Sequence, residues 1–341
     1  MARFGATIAA KSGKFRRDPI GFCLDSRVPG LPPLGQALQR REARALERRA
    51  AAAHDVPVSV IMTVWRTGDL AVRALKSLMA QTHPALEILV IDDAGGDDTA
   101  RRLVDAAAGD PRVRLFQSPR NRGTYWCKNW CLARATGRYV AFHDSDDISR
   151  PQRIALQLAA MEKNPTLMGC TCKWRRRTED GETVVINGRA EQMAAISLMI
   201  RREPVLARAG YFDCVRISAD TEYLHRLRRL FGRGAIRHLR QPLYEGLYRA
   251  GSLTTGPDSG FRWQPSASGM ARTLTGDRAR YDAAFRAWHA ATAADDLYLP
   301  FPPAARPFDV PDALIRDTQE VDTSDVRELT APAPRRERVT A

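Results

Sequence analysis

Acidic residues cluster where they could do chemistry at several points in this chain. In Gly137–Asp147, GRYVAFHDSDD, a short apolar run ends on Asp144, Asp146 and Asp147, with only Ser145 among them. Burying like charges this close is unfavourable unless a cation or a hydrogen-bonded ligand compensates. The cluster therefore reads as hard-oxygen ligands for a divalent metal. It reads equally as a solvated turn capping a helix that starts near Pro151, because Asp favours turns and helix starts. A second cluster, Asp220 and Glu222, lies in Ile217–Phe231 (ISADTEYLHRLRRLF). There the dipole of the first helical turn accommodates an acid without any function. Asp92 and Asp93 close a third apolar run, Leu86–Ile91.

The elements that must position these acids follow from periodicity. Val58–Thr63, Leu86–Ile91, Val113–Gln117 and Tyr139–His143 are apolar runs of buried-strand length. Between them lie predicted helices at Asp69–Gln81, Thr99–Ala108 and Cys127–Ala135, the first with Val72, Leu75, Leu78 and Met79 on one face and Asp69 as its cap. Strand and helix alternate over short connections, which predicts right-handed βαβ crossovers and a mostly parallel sheet. Ligands bind such sheets beyond the C-terminal strand ends, and Thr63, Asp92, Asp93 and the 144–147 cluster all sit at such ends. That convergence favours a site over a plain helix cap. No glycine cradle follows the first strand: VWRTGD (Val64–Asp69) is neither GxGxxG nor GxxxxGK[ST], which disfavours a dinucleotide-binding Rossmann domain and a P-loop NTPase.

Further along, Pro151–Asn164 reads as a helix. Met168–Trp174 and Thr183–Asn187 read as strands around an Asp180-Gly181 turn. Ser197–Arg201 is a strand and Glu203–Ala209 a helix stopped by Gly210. The helix at Ile217–Phe231 has Ser218 as its cap and ends before Gly232. Ile236–Arg240 and Leu243–Leu247 are expected as two short strands, and Tyr281–Ala294 as a helix.

Composition bounds the rest. The chain has 341 residues, 44% of them aliphatic or aromatic, and a net charge of +14. Residues 1–54 hold 11 Lys/Arg against 4 Asp/Glu. With a predicted helix at Leu34–Ala53, this forms a basic arm suited to anionic lipid, polyphosphate or nucleic acid, or simply to solubility. Nucleic-acid binding is disfavoured, since the basic residues lack aromatic interleaving or a known module. The six cysteines form no CxxC pair, so buried thiols in a reducing cytosol are favoured over a zinc site. No apolar run of about 18 residues marks a transmembrane helix, and the N-terminus does not read as a secretory signal. The expected location is cytoplasmic, with the arm offering a contact at the inner face of the cell membrane. The expected divisions are this arm (1–55), a catalytic domain (56–256), a partly helical extension (257–304) and a disordered, Pro- and charge-rich tail (305–341).

Five stretches, taken in order, resemble the inverting family-2 glycosyltransferases of the GT-A fold, from about Val56 to Thr255. They are VSVIMTVWRTGD, SLMAQTHPALEILVIDDAGGDDT, NRGTYWCKNWCLARATGRYVAFHDSDD, GYFD with ADTEYLHRLRRLFG, and YRAGSLT. The resemblance implies an α/β, Rossmann-like, mixed and mostly parallel sheet flanked by helices. It implies a nucleotide-diphospho-sugar donor, most often a UDP-sugar, a glycan, lipid-linked or other hydroxyl acceptor, Mn²⁺ or Mg²⁺, and a place in bacterial cell-surface polysaccharide or glycoconjugate synthesis. Thr63 and Val64 match positions contacting the nucleotide base. Asp93 matches the carboxylate that hydrogen-bonds it, with Asp92 beside it, and Asn121, Arg122 and Lys128 lie in the pocket wall. Asp144-Ser145-Asp146 matches the DxD motif, whose first Asp faces the ribose or sugar and whose last binds the metal, with Asp147 extending the cluster. Asp220 falls at the catalytic base, although the family's Glu-Asp pair reads Ala219-Asp220 here. That departure keeps open a non-catalytic nucleotide-sugar- or glycan-binding relative.

Overall fold

The computed structural model describes residues 34–302, 305–315 and 323–330. The chain divides into two units, Met1–Ala52 and Ala53–Ala341. In the first, α1 (Leu34–Ala50) is a single helix, as its Ala, Arg, Glu and Leu content favours. The rest of the expected arm, residues 1–33, lies outside the described residues, as do 316–322 and 331–341 of the tail. Among the described residues no helix is long and apolar enough to cross a membrane.

The second unit begins with β1 (Val58–Val64), α2 (Asp69–Met79), β2 (Leu86–Asp92), α3 (Thr99–Ala107), β3 (Val113–Gln117), α4 (Thr124–Leu132) and β4 (Tyr139–Asp144). All seven residues of β1 are buried, which is why it reads as an unbroken apolar run and not as an alternating one. A short β5 (Ile148–Ser149) and α5 (Arg153–Lys163) follow, then β6 (Gly169–Arg177), β7 (Thr183–Val184), β8 (Glu191–Met193), β9 (Met199–Arg201) and α6 (Arg202–Ala209). The chain continues through α7 (Ala219–Phe231), β10 (Ile236–Leu247), a hairpin of β11 (Phe261–Ser266) and β12 (Gly269–Leu274), α8 (Gly276–Ala291) and β13 (Arg327–Glu328).

The main sheet runs β13-β3-β2-β1-β4-β9-β6-β10-β5. Its four longest ladders, β1–β2, β1–β4, β2–β3 and β6–β10, are parallel, and the antiparallel pairings are short. This is the mixed, mostly parallel sheet with flanking helices that the sequence predicts. The order has a functional consequence. The chain steps outward from β1 to β2 to β3, then crosses back to lay β4 on the other side of β1. A crevice opens where the strand order reverses, at the C-terminal ends of β1 and β4. Register completes the placement: Thr63 lies opposite Asp144, and Val64 opposite Asp92.

Entry into β4 depends on Gly137. Its N–H donates to Ser59 Oγ (2.9 Å), and a Cβ built there would lie 2.4 Å from the Ser59 backbone nitrogen. Gly137→Ala is therefore expected to destabilise the domain by about 1–3 kcal/mol through overpacking. A urea titration of the purified variant reads this, and an unchanged midpoint would contradict it.

Three expectations are corrected. The two short strands at 236–247 are one strand, β10, bent by register shifts around Pro242. The hairpin β11–β12 has no counterpart in the predicted elements. The tail expected to be disordered from 305 is built into the domain over 305–315 and 323–330: Phe308 stacks on Trp288 at 5.0 Å, and β13 extends the sheet beside β3. The described cysteines are buried free thiols, which favours the plain reading of these residues.

Candidate active site

The crevice at β1 and β4 is closed by neighbours from far along the chain. Thr63 Oγ1 lies 2.6 Å from Thr124 Oγ1 at the start of α4. Thr67 donates to Ser145 Oγ at 3.0 Å, tying the loop after β1 to the DSD loop. Tyr244, fully buried on β10, accepts the Asp144 N–H at 3.1 Å and so fixes the backbone where the acidic cluster begins. The cavity holds about 430 Å³ and is lined by Thr63, Val64, Asp93, Asn121 and Lys128. Asp144, Ser145, Asp146, Asp147 and Asp220 line it too. Of the residues singled out from sequence, Asp92, Arg122 and Glu222 lie off its wall.

The three clustered carboxylates have separate partners. Lys128, 2% exposed, donates to Asp144 Oδ1 at 2.9 Å. Arg249, from the loop after β10, donates to Asp146 Oδ2 at 3.2 Å. Asp147 Oδ1 accepts the Leu247 N–H at 3.0 Å, which pins the end of β10 rather than the start of α5; the capping role expected near Pro151 is not the one it fills. Burial, with repulsion from Asp144, pushes the Asp146 carboxyl up from its ordinary value, and burial with both neighbouring acids pushes Asp147 well up. Among the described residues no three His, Cys, Asp or Glu side chains are grouped as a cage for a cation, Asp144, Asp146 and Asp147 included. What the donors fit is a metal held by one or two carboxylates and completed by oxygens of a bound ligand, the usual arrangement for Mg²⁺ on phosphates.

At the end of β2, Asp93 accepts two backbone N–H groups, from Arg122 (2.7 Å) and Gly123 (2.8 Å). Asn121 Nδ2 donates to its carbonyl at 3.2 Å. Burial raises the Asp93 and Asp92 carboxyls despite these bonds. Asp92 is turned inward, accepting from Gly95 N–H and Gln117 Nε2. Arg122 is turned away from the cleft and, buried, stacks on Trp126, 4.4 Å from the ring centre.

Asp220 reaches the same cleft on the first turn of α7. Its Oδ1 accepts from Tyr125 Oη (3.0 Å) and from the Thr221 N–H (2.8 Å). Ser218 occupies the N-cap position as expected but makes no side-chain cap bond. It sits at φ 71°, a left-handed conformation that a non-glycine residue adopts at a cost. Its hydroxyl instead accepts from Arg278 Nη1 at 2.6 Å, anchoring the turn before Asp220 to α8.

Glu222, two residues on, points into the protein. It is fully buried against the fully buried Arg226 (2.8 and 3.0 Å) and His289 Nε2 (2.9 Å). Burial pushes its carboxyl up, but the Arg226 guanidinium and His289 outweigh this and hold it below the ordinary value. A depressed carboxylate stabilises the fold above its unfolded value near 4.5, and that contribution is lost as pH falls through the folded value. Glu222→Gln leaves Arg226 without its counter-charge, so a loss of about 3–5 kcal/mol at pH 7 is expected. Denaturant titrations at pH 7 and below pH 4 would show the deficit shrinking with acid; a constant deficit would sink the assignment.

Residue-type reasoning missed four members of this site. Tyr125 is buried between Asp220 and Lys128. Arg176 is 6% exposed, gives Nη2 to Thr254 Oγ1 (3.0 Å), and leaves Nε and Nη1 buried with no partner. Arg249 and Arg278 complete the set. Arg249 stands inside YRAGSLT, so its motif was visible and its role was not. The same holds for Tyr125, inside NRGTYWCKNWC, whereas Arg176 and Arg278 lie in none of the quoted stretches.

The domain is an α/β fold with a crevice at the strand reversal, rimmed by separately held carboxylates and by buried arginine and lysine. Residues 59–207 match the model of Glycosyl transferase family 2. The succinoglycan biosynthesis protein ExoO of Rhizobium meliloti is 39% identical over 97 residues, 28% of this chain and 27% of that protein. The Escherichia coli UDP-Glc:alpha-D-GlcNAc-diphosphoundecaprenol beta-1,3-glucosyltransferase WfgD is 32% identical over 110 residues, 32% of this chain and 43% of its own length. The chain thus spans less than half the length of these curated relatives. A fragment of S. aureus TarS in complex with UDP aligns with a TM-score of 0.48 at 18% identity, over 57% of this chain and 61% of that one.

Proposed function

We propose that this domain transfers a sugar from a nucleotide-diphospho-sugar, a UDP-sugar in the first instance, to an acceptor hydroxyl with inversion. The observation that carries the reading is the cleft itself. It joins Asp93 and Asn121, the Asp144–Asp146 loop, the unpartnered guanidinium donors of Arg176, and Asp220 held apart on another element. Buried donors with no partner are costly unless a ligand supplies acceptors, and phosphate oxygens are suitable acceptors.

In this mechanism Asp220 accepts the proton of the acceptor hydroxyl as that oxygen attacks the anomeric carbon. Tyr125, donating to Asp220 Oδ1, fixes the carboxylate and leaves Oδ2 for the acceptor. The bond to the departing diphosphate breaks on the opposite face, so one displacement inverts the centre without a protein nucleophile. Arg176, Arg249 and Lys128 bring positive charge to the side where negative charge develops on the leaving group. Asp144 and Asp146 would hold Mn²⁺ or Mg²⁺, which when bound offsets that charge as a Lewis acid.

A non-catalytic relative is favoured by one feature. Ala219, standing where the family has Glu, is fully buried, so nothing at that position restores the missing acid. A thermal-shift screen of nucleoside diphosphates and nucleotide-sugars with and without Mn²⁺ identifies the donor by mass action. Product analysis then separates the two readings, since binding without hydrolysis or transfer of any donor would support the second.

We place the reaction in bacterial cell-surface polysaccharide or glycoconjugate synthesis, in line with the relatives' names. The cytoplasmic face of the membrane is the proposed location, with residues 1–50 as the contact. Their deletion is then expected to release the protein from the membrane fraction, and unchanged association would refute that contact.

A further inference from the structure

Each of the two carboxylates at the end of β2 is joined through a single intervening residue to the C-terminal segment 323–330. Asp325 Oδ2 accepts from Arg122 Nη2 at 2.5 Å, while the backbone N–H of the same Arg122 donates to Asp93. Two residues later, Arg327 donates to Gln117 Oε1, and Gln117 Nε2 donates in turn to Asp92 Oδ2 at 2.9 Å. The segment has its own anchorage. β13 pairs antiparallel with β3, with Arg327 opposite Gln117 and Glu328 opposite Phe116. The Leu329 N–H donates to the Leu115 carbonyl at 2.7 Å, and Trp130 Nε1 to the Thr323 carbonyl at 3.0 Å. Arg114 grips Glu328 through two bonds of 3.0 Å.

Covering the exposed edge of β3 would account for the backbone pairing. It accounts for Arg327 on its cross-strand neighbour Gln117 but not for Asp325, whose side chain reaches past the edge to the buried Arg122. Arg122 is 3% exposed, and its guanidinium is held by Trp126, Ser118 Oγ and Asp325. Of these only Asp325 carries the opposite charge. A buried guanidinium stripped of its counter-charge is strongly unfavourable, so without Asp325 the Arg122 side chain would have to leave. The loop bearing Asn121 and the two amides on Asp93 would move with it.

We propose that residues 323–330 are a positioning strap, in which Asp325 and Arg327 set the placement of Asp93 and Asp92 and thereby the affinity for a nucleoside diphosphate. The strap lies outside the stretch that matches the family, residues 59–207. The inference rests on the reading that the Asp93 side of the cleft receives the nucleotide.

The test uses the full chain with Asp325→Ala and the conservative Asp325→Glu. Hydrogen exchange is followed at the Arg122 and Gly123 amides, and calorimetric titration is made with UDP and with GDP in Mn²⁺. Loss of a charge-assisted bond is expected to speed exchange at both amides and to weaken nucleoside diphosphate binding by about tenfold. The melting temperature is read beside both and is expected to fall, as loss of a buried counter-charge implies. Asp325→Glu should recover most of both effects, and the acceptor KM should not change. Nucleotide affinity within about twofold of wild type overturns the proposal, as does weakening that the fall in stability alone explains. If the wild type binds neither UDP nor GDP, the nucleotide reading itself falls. Exchange at 122–123 then decides the strap, and unchanged rates reject it. Should Asp325→Ala fail to fold, Arg327→Gln probes the second arm through the Gly95 amide, which donates to Asp92.

Discussion

Asp220→Asn is expected to lower sugar transfer by about 10²–10⁴-fold, the usual contribution of a positioned general base, while nucleoside diphosphate affinity stays near wild type. The substitution is close to isosteric. An amide oxygen still accepts from Tyr125 Oη and the Thr221 N–H, the two bonds that hold Oδ1. What disappears is the ability to take a proton from the acceptor. Loss of rate with folding and donor binding retained would therefore report on chemistry alone. Initial rates of acceptor glycosylation beside a UDP titration make the comparison, and turnover at the wild-type rate would remove Asp220 from the mechanism.

Asp146→Ala is expected to abolish the gain in donor affinity that Mn²⁺ gives, a loss of about 10–100-fold when the metal is present. Asp144 alone does not compensate, because its Oδ1 is already engaged by Lys128. Freed from its partner, Arg249 gains an unpaired charge in the cleft, so metal-free affinity should hold or rise slightly. Titrations with Mn²⁺ and with a chelator distinguish these effects. A variant that keeps the wild-type response to Mn²⁺ would show that Asp146 is not a metal ligand.

The strand ends were legible because each is written locally. A buried parallel strand has to be a β-branched apolar run, and the first polar residue after it must lie at the rim. That is how Thr63, Asp93 and Asp144 come to share one crevice in the structure. The motif order of the family was readable for the same reason. Asp147 was not readable in this way. Its neighbours in sequence make it a helix cap, whereas its carboxylate serves the Leu247 N–H, one hundred residues later. Arg122 and Asp92 sit in the expected segments but face away from the cavity, because Asp325 holds the one and Gln117 the other. No window around position 122 contains that information.

By itself, the sequence determined the domain class, the alternation of strand and helix and the acidic loops at the strand ends. All of these are set by runs of a few residues whose periodicity and polarity admit few alternatives. The candidate base came from the family resemblance, and the order of the strands in the sheet from the structure. Only the tertiary structure decided which carboxylate answers to which cation. It paired Lys128 with Asp144, Arg249 with Asp146 and Tyr125 with Asp220, and it left Arg176 with two buried donors unmatched. It also turned a Pro- and charge-rich tail into a strand against β3. The physical reason is the same in each case. A buried charge or hydrogen-bond donor must find its partner wherever the fold brings one, and that partner is set by crossing strands and packed helices rather than by adjacency along the chain.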